Sequence, residues 1–173
     1  VWDPPGCPSE ARAIPFKPKS GEEFASINLI SSMPHYALIG ATGLIGSQIL
    51  QVLLQQTDAT ITVILRKPLH LNDPRVQEKL IDFSDEQALI NALAGCETVF
   101  VSIGTTQKKV KGNLTAYRKV DYDIPVAVAK ACVANSIDRL LLVSSVGANS
   151  RSNNFYLRIK GEVEDALAAM PIP

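Results

Sequence analysis

His35-Tyr36-Ala37-Leu38-Ile39-Gly40-Ala41-Thr42-Gly43-Leu44-Ile45-Gly46 reads as a short apolar strand, a glycine turn and the start of a helix. The strand is Tyr36–Ile39. Gly40, Gly43 and Gly46 stand in G-x-x-G-x-x-G spacing. Leu44–Gln56 continues as a helix whose apolar side is read as Leu44, Ile45, Ile49, Val52, Leu53 and Leu54. The first glycine permits a tight turn, the second lets backbone approach a pyrophosphate, and the third lets the helix pack close to its strand. Free N–H groups and the dipole at the helix start then favour phosphate. An ordinary glycine-rich turn carries the same letters in isolation. A strand before and a helix after it supply the context that the nucleotide reading requires.

Working outward, Ala59–Leu65 is β-branched and apolar, the pattern of a buried parallel strand. It ends at Arg66-Lys67-Pro68. An NAD enzyme usually places Asp or Glu there, about 20 residues after the glycines, on the ribose 2′-hydroxyl. Arg66 cannot accept that hydroxyl's hydrogen bond but can pair with a 2′-phosphate, so NADP(H) is expected over NAD(H). Val76–Phe83 reads as a third strand. Asp82 at its end has two readings, an acceptor for the adenine amino group or a helix N-terminal residue beside Ser84. The segment from Ser84 to Ala94 reads as a helix stopped by Gly95.

Thr98–Ile103 is a fourth strand, and Gly104-Thr105 at its end leave room for a ribose. A polar loop from Gln107 to Asn113 precedes a long helix, Thr115–Asn135, with Val120, Ile124, Ala127, Val128 and Ala131 on its apolar face. Pro125 should kink or break it. Ile137–Ser145 is a fifth strand, and its run Leu140–Val143 reads as buried on both faces. These repeats predict a three-layer doubly wound parallel α/β sheet, a Rossmann fold of strand order 3-2-1-4-5, with ligand over the carboxyl ends of the strands.

Composition narrows the functional classes. The 173 residues carry a formal net charge of zero, which does not favour a nucleic-acid surface. Lys108, Lys109 and Lys111 are read as a solvated loop. Cys7, Cys96 and Cys132 have no metal spacing, and no metal is expected. Cys96 and Cys132 read as buried free thiols. No apolar run spans a membrane and no signal-peptide pattern opens the chain, so a cytoplasmic location is expected. Residues 1–32 are proline-rich, without strand or helix period, and read as a flexible or non-native arm, with Met33 as the natural start of a domain over residues 33–173.

Tyr156 and Lys160 share one face of a helix. A nearby ammonium stabilises a phenolate, which would let Tyr156 exchange a proton with a substrate oxygen. Lys160 can also hold a nicotinamide ribose, and Ser144 or Ser145 would orient the substrate oxygen.

The glycine turn, the Ser-Ser strand end and Tyr156-x-x-x-Lys160 together resemble the atypical short-chain dehydrogenase/reductases. Ser144-Ser145-Val146-Gly147-Ala148-Asn149-Ser150, the stretch Asn154–Glu164 and Ser102–Thr106 are more narrowly similar to the Tat-interacting protein 2 oxidoreductase family. That resemblance implies NADPH held through Gly40, Thr42, Gly43, Leu44, Ile45, Gly46, Arg66, Ile103, Gly104, Thr105, Tyr156 and Lys160, with Tyr156 as proton donor or acceptor. It also implies a C-terminal strand and substrate segment beyond Pro173, so the chain is expected to be C-terminally incomplete. Asp121 departs from the Asn that many relatives in the wider superfamily carry, which touches the usual proton relay. Three functions follow: an NADP-dependent oxidoreductase acting on a carbonyl or alcohol, a non-catalytic NADPH-binding regulator with a protein partner, and a nucleoside-diphosphate-sugar epimerase. A homodimer also remains open.

Overall fold

The sheet grows from its centre outward. β1 (His35–Ile39) lies in the middle, β2 (Thr60–Leu65) and β3 (Val76–Leu80) add on one side, and β4 (Thr98–Val101) and β5 (Arg139–Leu142) on the other. Every pairing is parallel, and the order β3-β2-β1-β4-β5 is the one expected from the sequence. The structure, a computed structural model, describes residues 33–172. The arm expected over residues 1–32 lies outside them.

Alternate residues of the strands face two separate cores. Leu38, Ile61, Val63 and Leu65 pack with Leu50 and Leu53 of α1 (Leu44–Gln56). Ala37, Ile39, Val99 and Val101 pack on the other face with Leu89 and Leu93 of α2 (Glu86–Leu93) and with Val128 and Cys132 of α4 (Ile124–Ala134). Each of the Leu, Ile and Val side chains among them contributes roughly 1.5–3 kcal/mol through burial. α5 (Phe155–Ala168) packs against α4 and the turn before it.

The strands are shorter than their apolar runs, because pairing partners set their length. β1 ends where Gly40 turns the chain at φ +95°. Ser102 N–H still donates to Ile39 O at 2.8 Å, and Val143 N–H to Val101 O at 2.8 Å, before each chain leaves the sheet. β3 likewise ends at Leu80, ahead of Asp82-Phe83.

Three readings are corrected. β5 is the sheet's edge among the described residues and is not buried on both faces: Leu140 and Leu142 pack against the α2 and α4 core, while Leu141, on the opposite face, is 46% exposed. The core-facing side of α1 is Gly46, Leu50 and Leu53, while Leu44, Ile45 and Val52 are exposed. Finally, Pro125 does not break the long helix. α3 (Leu114–Arg118) runs through a π-helical turn, Lys119–Asp123, into α4. Pro125 has no N–H for the helical ladder. Ile124 N–H reaches back five residues to Lys119 O, which carries the helix past it.

Cys96 and Cys132 are buried and free. Burial pushes the Cys96 thiol up to about 11 and the Cys132 thiol up to about 12. Thiolate is the reactive form. In a Cys7→Ser variant, both thiols should therefore resist a thiol reagent at pH 8 and react at once in denaturant. Fast labelling of the folded chain would contradict this packing.

Candidate functional site

Gly43 N–H donates to Gly40 O at 2.9 Å, closing the turn after β1. A Cβ on Gly40 would stand 2.4 Å from Ser102 O, at the end of β4. A Cβ on Gly46 would stand 2.1 Å from Gly40 O, so α1 lies directly against the turn. Gly43 is the N-cap residue of α1, whose start has no side-chain cap and no acid in its first turn. The starts of α2, α3 and α5 differ, since Asp85, Asn113 and Asn154 each accept from backbone N–H groups there. The N–H groups opening α1 therefore lack a side-chain acceptor, which suits them to an anion.

A cavity of about 660 Å³ opens over this turn and the carboxyl ends of the strands. Gly40, Thr42, Gly43, Arg66, Ile103, Gly104 and Thr105 line it, which brings together seven of the residues named from the sequence. Its three cations are Arg66, Lys67 and Lys109, and no Asp or Glu lines it among the described residues. Such a wall favours a polyanion. Lys109 was read from the sequence as part of a solvated loop. Lys108, Lys109 and Lys111 are exposed as that reading has them, and Lys109 also borders the cavity, in a loop closed on itself by Val110 N–H to Thr106 O at 3.2 Å and Gly112 N–H to Gln107 O at 2.9 Å. No spacing rule signals that position.

Other expected contacts lie apart from the cavity lining. Leu44 and Ile45 sit at the exposed start of α1, and Gly46 is buried in the α1 packing. Asp82 accepts from Ser84 N–H at 2.9 Å, a bond that holds its carboxyl below the usual range. That bond forms a local turn ahead of α2, whose N-cap is Asp85, so Asp82 is not the helix N-terminal residue of the second reading.

Tyr156, Lys160, Ser144 and Ser145, the residues expected to be catalytic, also lie apart from the cavity lining, the first two on α5 and the serines just after β5. Asn154 Oδ1 accepts from Tyr156 N–H at 2.9 Å and Leu157 N–H at 3.3 Å, which fixes the helix start. Tyr156 is 39% exposed, and Lys160, one turn on, is 7% exposed. Lys160 Nζ pairs with Asp121 Oδ1 at 3.1 Å, and Asp121 Oδ2 accepts from Thr105 N–H at 2.8 Å. A charge so deeply placed needs a partner, and removing one member of such a pair costs about 3–5 kcal/mol. Nearby, burial first, then Asp121 and Tyr156, push the Tyr117 phenol up to about 12. Tyr117 meets Phe155 edge to face at 5.4 Å, and Arg118 pairs with Glu162, so α3 is tied to α5. Ser144 Oγ is buried without a hydrogen-bond partner, while Ser145 Oγ donates to Val146 O at 3.4 Å. A buried hydroxyl without a partner is a rare feature. No group of three His, Cys, Asp or Glu among the described residues is placed to hold a metal ion. No helix there is long and apolar enough to cross a membrane.

Comparison with known proteins agrees with this geometry. A family model described as NAD(P)H-binding matches residues 40–170. Protein FMP52, mitochondrial, of Debaryomyces hansenii is 33% identical over 138 residues, covering 79% of this chain and 61% of that protein. Protein FMP52, mitochondrial, of Candida albicans is 36% identical over 134 residues, covering 74% of this chain and 58% of the relative. The chain thus spans about three fifths of the length of the curated relatives it matches. Among solved structures, a short-chain dehydrogenase/reductase from Veillonella parvula in complex with NADP aligns with a TM-score of 0.59 at 20% identity, over 79% of this chain and 64% of that one. MoeE5 in complex with UDP-glucuronic acid and NAD aligns with a TM-score of 0.66 at 20% identity, over 79% and 50%. At these identities the likeness is one of fold, a doubly wound parallel sheet of the Rossmann type. The relatives' names overturn the cytoplasmic expectation, which rested on missing sequence signals alone.

The close approach at Gly46 has a direct test. Alanine there gains about 1 kcal/mol of helix propensity. It also drives a methyl group into the backbone of Gly40, and overpacking of that kind costs more when only backbone can yield. Gly46→Ala should lower the unfolding free energy by about 2 kcal/mol in a urea titration. Unchanged stability would mean that α1 does not lie against the turn.

Proposed function

The chain belongs to the NAD(P)H-binding family, and from that premise we propose that it is part of an NADP-dependent oxidoreductase that moves hydride to or from a carbonyl or alcohol. One observation carries the reading: a cavity rimmed by three cations and no acid runs from an uncapped helix start towards the Gly104–Thr105 turn that Asp121 shares with Lys160.

The chain's residues fit a phosphorylated dinucleotide. The N–H groups at the start of α1 would take the pyrophosphate, and a side chain at Gly40 or Gly46 would force that backbone apart. Arg66 presents the planar donor fork that suits a 2′-phosphate, with Lys67 and Lys109 adding charge. Gly104 leaves room for the second ribose, within reach of Lys160. When bound, NADPH supplies the hydride. Tyr156, exposed at the start of α5, gives the proton to the substrate oxygen, and Ser144 or Ser145 holds that oxygen. The Ser144–Ser150 and Asn154–Glu164 patterns favour the Tat-interacting protein 2 type within this family. The names of the FMP52 relatives support a mitochondrial location, which fractionation of cells expressing the natural protein would check.

Calorimetry with NADPH and NADH tests the cofactor assignment. Arg66→Ala should weaken NADPH roughly 10- to 100-fold and leave NADH unchanged. Equal loss for both would contradict a 2′-phosphate on Arg66. In the full-length protein, Tyr156→Phe should keep NADPH affinity and lower turnover over a carbonyl panel by roughly 100-fold or more. Unaltered turnover would remove Tyr156 from proton transfer.

A further inference from the structure

We infer that Asp121 is a positioning residue of the cofactor site: its carboxylate fixes the Lys160 ammonium beside the Gly104–Thr105 turn, where the nicotinamide-side ribose is held. The inference rests on the proposed dinucleotide site and extends it from the adenosine half to the other.

The two oxygens of Asp121 have separate tasks. Oδ1 takes Lys160 Nζ at 3.1 Å, and Oδ2 takes Thr105 N–H at 2.8 Å. The carboxylate is 1% exposed, so water does not replace either partner. One residue therefore joins α5, which carries Tyr156, to the backbone just past β4. The reach into the crevice is short. A Cβ on Gly104 would stand 3.4 Å from Asp121 Oδ1 and 4.0 Å from Lys160 Nζ. With no side chain at Gly104, a ribose hydroxyl can come close to the ammonium.

The helix is shaped for this placement. From the sequence, Val120 was expected on the buried face. The π-helical turn Lys119–Asp123 carries extra residues per turn, and Asp121 is the buried residue there, while Val120 borders the cavity. π-Helical turns of this kind are frequent at functional sites.

The chemistry asks for a carboxylate rather than an amide. Asparagine has one acceptor oxygen and a donor NH₂ group. It would serve either Thr105 N–H or Lys160 and turn a donor against the other. Asp121→Asn is thus nearly isosteric but leaves the ammonium or the amide without its acceptor.

The test compares two ligands by calorimetry on the whole chain: NADPH, and adenosine 2′,5′-bisphosphate, which reaches Arg66 and the phosphate turn but has no nicotinamide ribose. Asp121→Asn should weaken NADPH roughly 10- to 100-fold. It should leave the bisphosphate within about twofold. Lys160→Met should behave alike, and the double variant should be no weaker than Lys160→Met alone, because the effect of Asp121 passes through Lys160. Equal weakening of both ligands would mark a general loss of structure and overturn the positioning role. So would unchanged NADPH affinity, or additive losses in the double variant. A wild-type chain that binds the bisphosphate and gains nothing from the nicotinamide half would overturn this inference alone. A wild-type chain that binds neither ligand would overturn the proposed function as well.

Discussion

Where β1 ends, three stretches of backbone meet too closely for any side chain to stand between them. A Cβ at position 40 would overlap the end of β4, and a Cβ at position 46 would overlap the turn itself. The rest of the site depends on that contact. It brings the start of α1 over the carboxyl end of the central strand and sets the ends of β1 and β4 side by side. The ligand cavity then has backbone N–H groups for a floor. Glycine at these positions costs backbone entropy, which the surrounding packing offsets: Leu50 and Leu53 on one face, Ala37, Ile39 and Val101 on the other.

Two groups of cations lie near the carboxyl ends of the strands. One group, Arg66, Lys67 and Lys109, lines the crevice with no acid among the described lining residues, a wall that favours a polyanion. The other cation, Lys160, lies outside that lining and is neutralised by an ion pair. Lys160 is deeply buried and matched by Asp121, an arrangement that trades free charge for a fixed position.

Much of the fold was legible because its signals are local. Glycine spacing located the turn and the bounds of α1, and the β-branched run at Thr60–Leu65 located β2. Strand order then followed from the alternation of strands and helices. The misreadings share a different cause. Leu140–Val143 looks the same in sequence whether or not a neighbouring strand covers it, so the edge position of β5 was invisible. Gly46 anchors the buried face of α1 yet has no hydrophobicity of its own, and this shifted the apparent apolar face onto Leu44, Ile45 and Val52. Within the site, Gly40, Gly43, Arg66 and Gly104 could be named because turn and strand-end chemistry marks them. Lys109 and the pairing of Asp121 with Lys160 could not. Both depend on segments distant in sequence folding back against the strand ends.

In the proposed function, the crevice over β1 and β4 holds a phosphorylated dinucleotide by backbone at one end, and Lys160 meets its nicotinamide-side ribose. A structure of the chain in complex with NADP⁺ tests it most directly. The pyrophosphate should lie on the N–H groups at the start of α1, the 2′-phosphate on Arg66, and the nicotinamide-side ribose within hydrogen-bond distance of Lys160 Nζ, with the Asp121 pair intact. A nucleotide bound elsewhere, or one seated in the crevice with Arg66 and Lys160 turned away from it, would contradict the account.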